Sequence, residues 1–451
     1  MNMKTNIFRG LKYLAILVVT FISLVLVINL SIFDEELSPE VAAMFEKQQQ
    51  TIEPDNAYIA MWGITAGSNK DFIDAGIELM QRHYEINSSS ENSILTDLDM
   101  EQILGDKDLD RDWRERYKSC GARTRSGCLK EVSEVIKKNP IQDSRLQLML
   151  ERYSKMLKMT KYQLLMDIHA ASLIPSYSEI MRLGQIRTAS AFITEDTMST
   201  LTAIEEDLKF WRMILLQSGD LLNKMIAVAA AWKDYSYLSE IIKKQELSQL
   251  EKQKIASILV EISSEELDMT SVFYSETKWL FLALDNEIWS DEIDEIFSIS
   301  REFILPLWQK NATLNHIYFR NHLPLICLSK LSDKDFYKFR VKNNSYCEFP
   351  SEDEINNYHY SLYNPGGMML VSVGIPGYTN YIARVHDLNG VISLVKLQLE
   401  LKSVADEDIE NIIKKSSIRN LYTDEPMNYD KEKNEIGFDC LDKGSVCKIS
   451  L

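Results

Sequence analysis

An uncharged apolar stretch near the N-terminus limits what this chain can fold into more than any other feature. It runs from Tyr13 to Phe33 without a charged side chain. At about 1.5 Å per residue, a helix of that length spans the roughly 30 Å hydrocarbon core of a bilayer. A core helix of a soluble protein normally carries charges on one face. The stretch therefore predicts a transmembrane helix over residues 13–33.

A cleaved signal peptide is the alternative interpretation of such a stretch. The apolar region of a signal peptide is about 7–15 residues long and ends at a site of small residues. Here the apolar run is longer and ends in the bulky sequence Asn29-Leu30-Ser31-Ile32-Phe33. We expect an uncleaved signal anchor that crosses the membrane once.

The charges on either side of the stretch predict its orientation. Lys4, Arg9 and Lys12 precede it, whereas Asp34 and Glu35 follow it. Positive residues stay on the cytoplasmic side of a membrane. We therefore expect a cytoplasmic segment at residues 1–12 and an exported part from residue 34 onward. The expected location is a bacterial inner membrane, with the large domain in the periplasm.

The net charge argues against one class of partner. The chain has 451 residues, with 50 Lys and Arg against 67 Asp and Glu, and its net charge is −17. Such a surface repels the phosphates of DNA and RNA, so we expect no nucleic-acid partner. The hydrophobic share of 45% and the charged share of 26% are those of an ordinary folded protein.

The six cysteines are consistent with export. Two pairs bracket short loops that contain glycine, and these are Cys120 with Cys128 and Cys440 with Cys447. Cys327 and Cys347 are then left to each other. Outside the cytoplasm, three disulfide bonds are expected. A zinc site is less favoured, because neither CxxC nor HxxxH spacing occurs near any pair.

Apolar spacing predicts a mainly α-helical body. The clearest stripe, with intervals of three and four residues, comprises Leu201, Ile204, Leu208, Trp211 and Leu215. The run Met225 to Trp232 is apolar on all sides, which indicates a central helix. Further helices are predicted over 142–158, 160–173, 177–193, 236–245, 247–262 and 289–304. Short polar turns between them favour an irregular α-hairpin bundle or array.

The last hundred residues have a different pattern. Helical spacing over 377–403 is followed by strand-like pieces and polar turns from Met427 to Leu451, which predicts a small α+β cap with a β-hairpin. The segment Asp424-Glu425-Pro426-Met427-Asn428-Tyr429, followed by Ile436-Gly437-Phe438, resembles the tails of exported bacterial proteins such as pilin-like subunits. The resemblance implies a terminal hairpin alone, since the chain lacks the N-terminal motif of pilins. We expect a juxtamembrane stem over 34–55, a helical domain over 56–350 and an α+β region over 351–451.

Two sets of residues are candidates for catalysis. Asp97 and Asp99 match the D-x-D pattern with which glycosyltransferases hold a metal, although an acidic chain produces this pattern often by chance. We expect them to lie in a solvated acidic loop. His386 and Asp387 form the second set, but no nucleophile motif accompanies them. Phosphate-binding loops are absent from the sequence, so no cofactor is expected.

Topology and helical patterning thus predict a membrane-anchored exported protein that binds other proteins without catalysis. An accessory subunit of a secretion or surface assembly, or an immunity-type protein, fits this description. The alternative is a type II membrane enzyme, such as a metal-dependent glycan-modifying transferase that uses Asp97 and Asp99. In a transferase, the D-x-D pair should lie at the end of a strand and face a deep cleft.

Overall fold

A computed structural model describes residues 3–45, 51–89, 95–105, 111–117, 128–166, 173–285, 307–342, 344, 346–347, 361–374 and 377–451. Helices make up 68% of the structure, and a three-stranded antiparallel sheet lies near the end of the chain. The prediction of a mainly α fold with a small C-terminal β element is therefore confirmed.

In the described part of the chain, the first sixteen helices lie between residues 3 and 329. They are α1 (Met3–Ile28), α2 (Pro39–Met44), α3 (Ala57–Gly63), α4 (Phe72–Ser89), α5 (Asp97–Leu104), α6 (Arg111–Arg116), α7 (Cys128–Lys138), α8 (Ser144–Met156), α9 (Tyr177–Ile193), α10 (Thr197–Gln217), α11 (Leu221–Lys244), α12 (Gln249–Ile258), α13 (Ser264–Leu267), α14 (Thr270–Asp285), α15 (Lys310–His316) and α16 (Leu323–Ser329).

Four further helices and the three strands follow in the described residues. They are α17 (Asp333–Lys342), α18 (Pro365–Gly374), α19 (Tyr378–Leu401), α20 (Ile409–Lys415), β1 (Asn428–Asp430), β2 (Glu435–Gly437) and β3 (Lys448–Ser450). A short 3₁₀ helix, Ser31–Phe33, follows α1, and a π-helical segment, Ile317–His322, joins α15 to α16.

The chain divides into two compact units. The first contains Met1–Gln48, Thr277–Leu325 and Tyr346–Tyr378, and the second contains Gln49–Glu276, Ile326–Ser345 and Thr379–Leu451. In the first unit, the segment Phe8–Ile28 of α1 is long and apolar enough to cross a membrane. It is the one such helix in the described part of the chain.

Polar and apolar contacts hold the segment after α1 against the rest of the first unit. Ser38 caps α2 as its Oγ accepts a hydrogen bond from the Val41 N–H at 3.3 Å, with Pro39 at the first helical position. Val41 then packs with Leu314 and Tyr318 in a small core. Ser38 and Pro39 thus specify locally where α2 begins.

Helices α10 and α11 form the centre of the second unit. All five residues of the predicted stripe on α10 are buried, namely Leu201, Ile204, Leu208, Trp211 and Leu215. Asp220 caps the start of helix α11, since its Oδ1 accepts from the Asn223 N–H at 2.8 Å. It continues without a break to Lys244, so the separate helix predicted over 236–245 is its second half.

The prediction of a helix over 160–173 is wrong for the part that the structure describes. Residues 161–166 are not helical, because their backbone groups bind elsewhere. The Lys161 carbonyl accepts from the Ala57 N–H at 2.9 Å, and the Tyr162 N–H donates to Gln217 Oε1 at 2.7 Å. The helix predicted over 289–304 lies outside the described residues.

The C-terminal sheet has the order β1-β2-β3, and both pairings are antiparallel. Ile436 of β2 is opposite Tyr429 of β1 on one side and Ile449 of β3 on the other. The ring of Phe438 packs against α19 at Gly390, where an added Cβ would lie 2.1 Å from the ring. Glycine at this position therefore allows the segment after β2 to pack directly on the helix.

Candidate functional site

The D-x-D pair lies in the first turn of helix α5, and the expectation of a loop is therefore wrong. The Asp99 carboxylate accepts from the Thr96 N–H at 3.0 Å, and Thr96 Oγ1 accepts from the Asp99 N–H at 3.2 Å, which together form a capping box. It also pairs with Arg82 at 3.1 Å. The Thr96 hydrogen bonds lower the pKa of Asp99. Asp99 thus stabilises a helix end, and neither aspartate lies at the end of a strand.

His386, the second candidate, is enclosed within the second unit. Its Nδ1 lies 2.7 Å from Asp333 Oδ1, and its ring stacks on Phe336 with 4.5 Å between the ring centroids. Asn389 donates to the other Asp333 oxygen at 3.2 Å. The imidazole is fully buried. This arrangement joins α17 to α19 and presents no reactive nitrogen to solvent.

Asp387 binds different partners, namely Tyr422 and the loop between β2 and β3. Its Oδ1 accepts from Tyr422 Oη at 2.6 Å and from the Leu441 N–H at 2.9 Å, and its Oδ2 accepts from the Asp442 N–H at 2.9 Å. Burial raises the pKa of Asp387, although these three hydrogen bonds oppose the change. The carboxylate thus anchors the loop to α19. His386 and Asp387 are adjacent in sequence but bind different elements.

The anchored loop is closed by a disulfide bond between Cys440 and Cys447, whose Cα atoms are 5.6 Å apart. Asp387 and both sulfurs lie within 4.8 Å of one another, which is close enough for a metal site. The donor set does not fit a metal, because the sulfurs are bonded to each other and are not thiolates. Cys128, Cys327 and Cys347 are also disulfide-bonded. The pairing of Cys128 stays a prediction, since Cys120 lies outside the described residues.

Sequence reasoning did not identify a cluster of buried charged and polar side chains where α8, α9, α10 and α11 meet. Tyr153 donates a hydrogen bond to Asp207. Lys233 Nζ lies 3.3 Å from Asp207 Oδ2 and 3.5 Å from Asp234 Oδ1. All four side chains are buried. On α9, a Cβ at Gly184 would lie 2.7 Å from Tyr153 Oη, so the cluster requires a small residue there.

The groups of the cluster shift one another's pKa values. Burial raises the pKa of Asp234 well above its usual value, and the nearby Asp207 carboxylate raises it further. Burial disfavours the Lys233 ammonium, but the Asp234 and Asp207 carboxylates outweigh burial and raise the pKa of Lys233. The Lys233 ammonium therefore lies beside two buried carboxyl groups, those of Asp207 and Asp234. Such a set holds four helices together and is closed to substrates.

The described part of the second unit also contains an open groove, which lies between α11, α19 and the outer edge of β3. Its larger cavity has a volume of about 240 Å³ and is lined by residues that include Trp232, Ser239, Val395 and Lys448. A smaller cavity of about 130 Å³ is lined by Gln398. Lys243 of α11 lines both cavities, so they form one feature, the β3 groove.

The register of the sheet determines what β3 presents to this groove. The Phe438 N–H donates to the Cys447 carbonyl at 3.0 Å, and the Leu451 N–H donates to the Asn434 carbonyl at 2.9 Å. Because residues alternate along an antiparallel pair, the backbone groups of Lys448 and Ser450 point away from β2. The groove is therefore bordered by the outer edge of a strand.

Gln398 holds a hydrogen-bond acceptor beside that edge. Its Nε2 donates to the Ser450 carbonyl at 2.8 Å and to the Ser239 carbonyl at 3.3 Å. Because only the amide nitrogen can donate, these bonds distinguish Nε2 from Oε1. Its Oε1 is buried and accepts no hydrogen bond from the described residues. A buried acceptor without a donor is costly, by about 1–3 kcal/mol. A ligand with an N–H group would remove this cost.

The size and charge of the groove limit its ligands. The larger cavity is below the roughly 300–1,000 Å³ that encloses a drug-sized ligand. Two basic and two acidic side chains line it, so the groove favours neither anions nor cations, and these are Lys243, Lys448, Glu240 and Glu435. Backbone groups at a strand edge, with shallow room for side chains, suit an extended polypeptide. No signal in the sequence indicated this, because Ser239, Gln398 and Lys448 are far apart along the chain.

Comparisons with family models, with curated proteins and with solved structures find no match to this chain.

Proposed function

We propose that this chain is a single-pass signal-anchored protein of a bacterial inner membrane, with its large domain in the periplasm, and that it binds other envelope proteins without catalysis. The exported part would be built on an irregular bundle of α-hairpins. Helix α1, with its uncharged segment and the basic residues before it, supports the anchor and its orientation. A role beside a secretion or surface assembly, or as an immunity-type protein, fits this location.

The β3 groove is the observation that carries the binding function. A partner segment in extended conformation would add to β3 as a further strand, and its backbone would pair with the outward groups of Lys448 and with the Ser450 N–H. One of its N–H groups would donate to Gln398 Oε1. The transferase alternative gains no support, because Asp99 is occupied by Thr96 and Arg82 at a helix end.

A photocrosslinking experiment tests this function in intact cells. A photoreactive amino acid replaces Val446, which lines the groove and is half exposed, and the matched control replaces Leu250 of α12. We expect a discrete protein adduct from position 446 and none from position 250.

Two substitutions at Lys448 separate strand addition from other contacts. Lys448→Pro removes the outward N–H and leaves the bonds to β2 in place, since Pro is tolerated on strand edges. Lys448→Ala removes only the side chain. We expect the adduct to disappear with proline and to persist with alanine. An adduct that survives Lys448→Pro would refute strand addition.

The orientation is tested separately by a reporter fused after Leu451. A reporter that functions only outside the cytoplasm should be active there, because Lys4, Arg9 and Lys12 hold the N-terminus inside. A reporter that functions only in the cytoplasm should be silent at the same position. The reverse pattern would refute an exported domain.

A further inference from the structure

The outer end of α1 is fixed to a distant loop of the same unit. The segment Phe8–Ile28 of α1 is long enough to fill a bilayer core, which places Asn29 at the level of the lipid headgroups. Asn29 Nδ2 donates to the Leu362 carbonyl at 2.8 Å, and Asn29 Oδ1 accepts from the Asn364 N–H at 2.7 Å. The loop of residues 361–364 therefore lies at the same level as Asn29.

Further hydrogen bonds join this loop and residues 309–311 to the chain that follows α1. The Tyr363 hydroxyl donates to the Phe33 carbonyl at 3.0 Å, and Gln309 Nε2 donates to the Leu30 carbonyl at 3.1 Å. Asp34 accepts from the Asn311 N–H at 2.9 Å. The chain after α1 is thus attached to the first unit within a few residues.

Large apolar side chains are exposed at this junction. The exposed fraction is 79% for Ile32, 52% for Phe33 and 51% for Leu362. Single exposed apolar residues are ordinary on a protein surface, but these three lie beside the outer end of α1, whose own large apolar side chains are also exposed. Tyr363 beside them is of the type enriched at membrane interfaces.

We infer that Leu362, together with Ile32 and Phe33, inserts into the membrane interface and forms a second membrane contact beside α1. This contact rests on the proposed function, in which α1 spans the membrane. The acidic Asp34 and Glu35 follow directly, so apolar burial drives insertion, and attraction to anionic lipids does not. The contact holds the first unit against the bilayer surface.

Spin labels on the full-length protein in phosphatidylcholine nanodiscs test the contact. Single cysteines are introduced as Leu362→Cys, as Ile22→Cys within α1 and as Leu250→Cys on the exposed face of α12, and the wild-type chain gives the labelling background. The accessibility of each label to oxygen is compared with its accessibility to a water-soluble nickel chelate. We expect the oxygen-to-nickel ratio at 362 to exceed that at 250 several-fold.

The other two labels distinguish the possible failures. A lipid-like ratio at 22 with a water-like ratio at 362 would overturn the second contact and leave the anchor intact. A water-like ratio at 22 would overturn the anchor itself, and the contact with it.

Addition of phosphatidylglycerol should leave the ratio at 362 unchanged, and insertion that requires this anionic lipid would overturn the apolar mechanism. Asn29→Ala should lower the ratio at 362 several-fold without altering the ratio at 22.

Discussion

Helices α1 and α11 are nearly equal in length, with 26 and 24 residues, but their surroundings differ. Helix α1 carries no charge from Tyr13 onward, and most of its large apolar side chains are exposed. Helix α11 is buried over most of its length, yet Lys224, Lys233 and Asp234 are among its buried residues. A long apolar helix can therefore belong to either environment, and the charged residues within it distinguish a core helix from a membrane helix.

The difference lies in what each environment offers to a charged group. A core helix can bury Lys233 because Asp207 and Asp234 lie within 3.5 Å of its Nζ. Lipid offers no such partner, so charges are excluded from the middle of a membrane helix. A charge in the middle of a long apolar helix therefore indicates a protein partner nearby.

The largest effect is expected from Lys233→Met, which removes the only ammonium of the buried cluster. Asp207 and Asp234 would then face each other without a cation, and breaking a buried pair in this way costs about 3–5 kcal/mol. Urea unfolding of the full-length protein in detergent measures this loss. Lys243→Met, on the same helix at the exposed edge of the β3 groove, should alter the free energy of unfolding by less than about 0.5 kcal/mol. Equal effects of the two substitutions would contradict the pairing.

Helix α1, which we propose to span the membrane, should respond to the opposite change, the addition of a charge. Leu17→Lys places an ammonium near the middle of α1, where 68% of the leucine side chain is exposed. Its insertion should become less favourable by about 2.5–3.5 kcal/mol in a membrane-insertion assay. Leu216→Lys near the end of α10, where the leucine is 47% exposed, is the matched control in water. If Leu17→Lys inserts as well as wild type, α1 does not face lipid.

Local patterns predicted much of this fold. The spacing of Leu201, Ile204, Leu208, Trp211 and Leu215 is sufficient to identify a buried face, because helical periodicity requires no knowledge of the partner. The capped start at Ser38 is equally local. The confirmed features are thus those that depend on neighbouring residues.

The buried cluster and the β3 groove were not predicted, because each is formed by residues that are distant in the sequence. Tyr153 and Asp207 are 54 positions apart and meet only when α8 packs beside α10. Spacing indicates which face is buried but not which side chain it meets. One signal was available, since Lys233 and Asp234 directly follow the all-apolar run Met225 to Trp232. Charges at that place on a central helix must be buried and therefore paired.

The smallest expected effect concerns the pH dependence of stability, and it tests whether the cluster holds a proton. The pKa of Asp234 is raised in the folded state, chiefly by burial, so the folded protein binds this proton more tightly than the unfolded chain. That contribution to stability is complete below the unfolded pKa of about 3.8 and is lost as the pH rises through the folded pKa. Asp234→Asn, which keeps the shape of the side chain, removes this loss. The variant should therefore gain stability relative to wild type as the pH rises above about 4 in urea unfolding.

Asp196→Asn is the control, and its stability should depend on pH in the opposite direction, because hydrogen bonds from Ser199 lower the pKa of Asp196 at the exposed start of α10. Asparagine also caps helices well, so this variant should lose stability relative to wild type as the pH rises toward the unfolded pKa of about 3.8, and the difference should change little above it. If both variants change in the same direction, Asp234 does not hold its proton in the folded protein.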